Sequence, residues 1–156
     1  MFYIPPDPPT HARDVARYLL ATQRGYAAER MTNLKLQKLL YYAQGFYLAL
    51  HDGPLFPERI KAWAHGPVIP EVWHEYKHFG SGPIAIPSGT PALGEKEREV
   101  IDSVADVYGQ YAAWRLRELT HSEPPWVIAF NGSGVISNEE MTKFFKTRLE
   151  SPSATT

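Results

Sequence analysis

Residues 32–50 read TNLKLQKLLYYAQGFYLAL, and this run decides the fold. Leu36, Leu39, Leu40, Ala43, Phe46, Tyr47 and Leu50 recur at helical spacing behind Thr32, a residue suited to accept from the free N–H groups of a first helical turn. Leu34, Tyr41, Tyr42 and Leu48 add apolar surface on other sides, so the helix is expected to be central, ending at Gly53-Pro54. Its charged residues, Lys35 and Lys38, are expected on a solvent-facing side, as helix charges usually are.

Upstream, four prolines among the first nine residues predict an extended lead-in over 1–10. Thr10 then caps a helix from about Ala12 to Gln23, with Val15, Tyr18, Leu19 and Thr22 on one stripe and a stop at Gly25. Downstream, Ile60, Ala62 and Ala64 alternate with Lys61 and Trp63 before Gly66-Pro67, which predicts a short strand and a turn. Pro70 opens a helix carrying Val72, Trp73, Tyr76 and Phe79 and closing at Gly80; Ile84-Ala85-Ile86 is the expected partner of the strand near Ile60.

A fourth helix runs from Glu95 through Val100, Ile101, Val104, Val107 and Tyr108 to Gly109, with acidic residues at its positive end, and a fifth from about Ala112 to Leu119. Ser122 caps a sixth with Trp126, Val127, Ile128 and Phe130. Ser137 and Glu140 form a capping box for a last helix over 137–150 with an apolar stripe of Met141, Phe144, Phe145 and Leu149, of which Met141, Phe144 and Phe145 are open to closing the core, the favoured reading, or to a partner surface. The expectation is thus a mainly α fold: one domain over 11–150, a bundle of six or seven helices around the central one, with a small two-stranded β element and a disordered tail over 151–156.

Composition supports a folded chain: of 156 residues, 44% are hydrophobic and 21% charged, unlike the low-hydrophobicity, high-charge balance of disordered chains. The net charge of −1 implies no global pull toward nucleic acid or an anionic membrane. The absence of cysteine excludes disulfides, thiolate metal sites and cysteine nucleophiles, and a cytoplasmic location is compatible with it. No run approaches the roughly 18–20 apolar residues of a membrane helix.

HEYKH at 74–78 matches the zinc-peptidase pattern H-E-x-x-H, in which His74 and His78 would bind the metal and Glu75 would act as base. No third ligand follows at the usual short spacing, since the next histidine is His121. His65 and His121 would join Glu123 in an acid–base or metal site only if the fold gathers them. Gly80-Ser81-Gly82 and Gly132-Ser133-Gly134 are not serine-nucleophile elbows, and there is no phosphate-binding loop or dinucleotide fingerprint, so no cofactor is expected.

Three blocks occur in one order: K-L-Q-K-L-L-Y-Y-A-Q (Lys35 to Gln44, with Gln37, Lys38 and Tyr42), A-W-x-x-G-P-V-x-P (Ala62, Trp63, Gly66, Pro67, Val68 and Pro70, with His65 inside) and T-H-x-E-x-P-W (Thr120, His121, Glu123, Pro125 and Trp126). Together they resemble the Panacea, or SocA-like, antitoxin domain, over roughly residues 10 to 130. The resemblance implies a non-enzymatic antitoxin whose partner is a cognate toxin protein. It would act by direct binding, or as a proteolytic adaptor delivering the toxin to an AAA+ protease. The family pattern does not require His74 and His78, which leaves HEYKH as an accident of a solvent-facing helix side.

The motif residues Lys35, Gln37, Lys38, Tyr42, Trp63, His65, Gly66, Pro67, Pro70, His121, Glu123 and Trp126 are the candidate partner-binding set, each also open to a structural role. Trp63, Trp73, Trp114 and Trp126 are expected to be mostly structural. Two alternatives stay open: a zinc hydrolase built on HEYKH, and a DNA-binding autoregulator with Arg13, Arg17, Lys35 and Lys38 as its phosphate-contacting face.

Overall fold

The computed structural model describes residues 1–3, 9–23 and 31–149. Among them the chain order is α1 (Ala12–Thr22), α2 (Asn33–His51), β1 (Ile60–Trp63), β2 (Gly66–Val68), α3 (Pro70–Tyr76) with a 3₁₀ turn (Lys77–Phe79), α4 (Glu95–Tyr108), α5 (Ala113–His121), α6 (Pro124–Phe130), β3 (Val135–Ile136) and α7 (Asn138–Lys146). The result is a mainly helical single domain with seven α-helices and one small antiparallel sheet. Gly25, most of the proline-rich lead-in and the tail over 151–156 lie outside the described residues.

α2 is the axis of the molecule. Fourteen of its nineteen residues are buried, so it has neighbours on nearly every side rather than one apolar stripe. The Thr32 side chain accepts the Lys35 N–H at 3.3 Å, and Asp52 ends the helix in the left-handed conformation, its N–H on Leu48 O, just before the expected Gly53-Pro54 stop. α7 lies closest: a Cβ on Gly45 would overlap the buried ring of Phe145, so only glycine admits this approach. Tyr41, Tyr42, Phe46, Tyr108 and Phe145 form one aromatic cluster, in which Tyr42 and Tyr108 stack at 4.0 Å. Met141, Phe144 and Phe145 close the core as expected, whereas Leu149 stays partly exposed beyond the shorter last helix.

The sheet corrects the expected β element. It has three strands in the order β2-β1-β3, and β1 pairs with β2 as a hairpin (Trp63 opposite Gly66, Lys61 opposite Val68) and with β3 through Ile60 opposite Ile136. Ile84 is elsewhere: its N–H bonds Met31 O at 2.8 Å and Pro83 bridges Thr32, so this stretch meets the entry to α2 instead of β1 and forms no strand. Burial alternates along β1 as predicted, with Ile60 and Ala62 inward and Lys61 outward.

Two helix starts also differ. His11, not Thr10, precedes α1, and the Glu58 carboxylate takes both the Ala12 N–H at 2.8 Å and His11 Nδ1 at 2.7 Å, placing an acid at the positive helix end. At the α5–α6 junction Ser122 ends α5, and Glu123 precedes Pro124 at the first position of α6. Among the described residues no helix is long and apolar enough to cross a membrane.

Candidate partner-binding site

The polar residues of the first sequence block are buried in α2, where each must find a partner or destabilise the fold. Gln37 accepts from the Ile69 N–H at 2.9 Å and donates to Asn33 Oδ1 at 2.8 Å, tying α2 to the end of β2. Gln44 does the same for the loop before β1, donating to Phe56 O and accepting from the Leu55 N–H, both at 2.7 Å. Lys35 Nζ donates to Gly109 O at 2.6 Å, a cation on the negative end of α4.

Glu123 lies against the same helix. Tyr41 and Tyr42 donate their hydroxyls to its two carboxylate oxygens at 3.0 and 2.9 Å. Burial pushes the Glu123 carboxyl up to about 7, while the bonds from Tyr42 and Tyr41 and the charge of Arg148 hold it down. Both tyrosines are pushed far above their ordinary range, first by burial and then by that carboxylate, so they remain donors.

The remaining motif residues meet under the β1–β2 hairpin. Trp126 Nε1 donates to Trp63 O at 2.9 Å, and the Trp126 ring stacks on His121 at 4.1 Å. Gly66 sits at φ +124°, which L side chains rarely adopt, and the position its Cβ would take is 3.4 Å from Lys38 Nζ and 3.3 Å from Thr120 Oγ1. Lys38 is fully buried with one long bond, 3.3 Å to Leu34 O. Burial, then the nearby Arg117 charge, lowers its ammonium to about 8. His121 is lowered too, by burial first and then by Arg117, with Lys38 and His65 adding to it, and a backbone bond with Ala64 opposes the shift.

Helix α2, the hairpin and the α5–α6 junction thus converge, and residues 36–127, which span them, match the model of the family described as Antitoxin SocA-like, Panacea domain. The chain belongs to this antitoxin family. Antitoxin SocA of Caulobacter vibrioides (strain NA1000 / CB15N) is 33% identical over 117 residues, covering 67% of this chain and 62% of that protein, so the chain spans about three fifths of the relative's length. No solved structure matches.

For this SocA-like chain the geometry corrects several residue expectations. Lys35 and Lys38 do not ride a solvent face, because helices and the hairpin surround α2 on that side too. With both lysines buried, the phosphate-contacting face expected of a DNA-binding autoregulator is reduced to the exposed Arg13 and Arg17 of α1. Trp114 is not structural: it is 67% exposed on α5, while Trp63 and Trp73 are half-buried and meet edge to face.

His74 is exposed on α3 and His78 on the 3₁₀ turn, where the helix tightens and the four-residue facing of the HEYKH pair is lost. Among the described residues no group of three or more His, Asp or Glu is arranged to hold a metal ion. His65 and His121 are neighbours, but Glu123 turns to the tyrosines instead of joining them. Of the candidate set, His65 is exposed, Trp63, Pro70, His121 and Glu123 are half-buried, and the rest are buried. Tyr41 and Thr120, motif letters left out of the candidate set, belong to the site, and nothing in the sequence singled out Arg117.

Proposed function

We propose that this protein is an antitoxin that neutralises a cognate toxin protein by binding it, with no chemistry of its own. The observation that carries the reading is the family match across α2, the hairpin and the α5–α6 junction, together with the likeness to a protein named Antitoxin SocA. The fold supports it in one further respect. Tyr41, Tyr42 and Glu123 join α2 to the start of α6, and Trp126 joins α6 to the hairpin, which leaves the exposed turn at His65 and the exposed face of α5 to meet a partner.

The first test is a growth assay in which the neighbouring open reading frame is induced alone and then together with this gene. Arrest relieved by co-expression is the expected result; arrest that persists would sink the reading. Direct neutralisation in the cytoplasm is the simpler mode. Delivery to an AAA+ protease would instead shorten the toxin's lifetime in the presence of this protein, which a chase of tagged toxin after translation is stopped would detect.

A further inference from the structure

The face around the hairpin turn brings basic and aromatic side chains together over a buried lysine. Trp114, Arg117 and His121 follow at helical spacing along α5, with Trp114 and Arg117 exposed, and the exposed His65 lies at the hairpin turn, near His121. Beneath lies Lys38, whose ammonium has three donors and makes one bond, the 3.3 Å contact to Leu34 O. Among the described residues His121 Nε2 is buried with no hydrogen-bond partner. Arg117 acts on both Lys38 and His121, and Lys38 and His65 also act on His121. Glu123 of the same junction is engaged by Tyr41 and Tyr42.

We propose that this face recognises an acidic surface of the toxin: Arg117 and His65 meet partner carboxylates, Trp114 packs beside them, and Lys38 supplies positive potential from below without touching the partner. This rests on the antitoxin reading and names the chemistry of its partner. A cation in a poorly solvated interior is screened less than a surface one, so its field reaches the interface. Complementary potential speeds encounter and excludes wrong partners, and Trp and Arg are the residue types that dominate interface energetics.

The role of Lys38 separates cleanly from a structural one. A buried charge with no counter-charge destabilises the fold that holds it, so Lys38→Met should melt at the wild-type temperature or above it. Arg117→Ala, at an exposed helix position, should melt close to wild type. The experiment measures the affinity of wild type, K38M and R117A for the purified product of the growth-arresting neighbouring frame, at low and high salt, with melting curves for each. The expected result is about tenfold weaker binding for both variants and a shallower salt dependence, with melting unimpaired.

Unchanged toxin affinity in R117A overturns the proposal, including the case in which K38M fails to fold. If wild type does not bind the toxin at all, the antitoxin reading falls, and a ten-residue oligoglutamate decides the inference separately: binding by wild type and not by R117A keeps the acid-recognising face, and no binding by either removes it. Preferential binding of a short DNA duplex over oligoglutamate, lost in R117A, would assign the face to phosphate and overturn the choice of a protein partner.

Discussion

Glu123 is a side chain whose protonation near neutral pH bears on the fold. Its carboxyl is raised to about 7 from 4.5, first by burial. A carboxyl raised in the folded state keeps its proton where the unfolded chain loses it, so its stabilising contribution is whole below about 4.5 and is lost as pH rises through about 7. The change is on the order of 3 kcal/mol. Glu123→Gln removes the titration while keeping a side-chain oxygen for one tyrosine. The wild-type melting temperature minus that of E123Q should therefore fall between pH 5 and pH 8. A difference that stays flat in calorimetry across that range would contradict the burial of Glu123 against α2. Lys38 shifts the balance at higher pH: lowered to about 8, it loses its proton in the folded state before the unfolded chain does, so stability gains as pH rises from about 8 toward 10.5.

Among the elements, the α2–α7 contact is the most sensitive to a single atom. Gly45→Ala would place a methyl group against the buried Phe145 ring, and the strain should outweigh the gain of about 1 kcal/mol in helix propensity. A net loss of about 1–3 kcal/mol is expected in urea denaturation; a G45A variant as stable as wild type would show that α7 can shift outward freely. α2 itself was legible because its apolar residues exceed one stripe, and the capping residues Thr32 and Ser137 stood where their helices begin. β3 was not, since two residues carry no alternation to read, and its partner lies some 75 residues earlier. Lys35 and Lys38 were misplaced for a related reason. Spacing assigns a charge to the outside unless a partner is known, and Gly109 O, the partner of Lys35, comes 74 residues later. The site was legible only as three resembling blocks; Trp114 and Arg117, the exposed part of the face, lie between them.

At the scale of the whole molecule, the hairpin and α6 are joined by Trp126 to Trp63, and α6 is joined to α2 by Glu123 to Tyr41 and Tyr42. Trp63→Ala removes a half-buried ring from this junction as well as its edge contact with Trp73. Its cost is expected near or below the lower end of the roughly 3–5 kcal/mol seen for fully buried Trp, because part of the ring already faces water. A destabilised but cooperative melt is the predicted outcome, and loss of toxin binding with an unchanged melt would assign Trp63 to the interface instead.

The pairing of β1 with β3, and of Tyr41 and Tyr42 with a carboxylate more than 80 residues away, has a consequence for synthesis. A nascent chain that has emerged only as far as α4 holds the central helix with both tyrosines still short of their carboxylate and one edge of the hairpin open. Such a chain has little reason to settle before α6, β3 and α7 leave the ribosome, since loops this long must close before their contacts stabilise anything. The fold is then completed late and all at once, and a stalled or truncated product stays open to proteases.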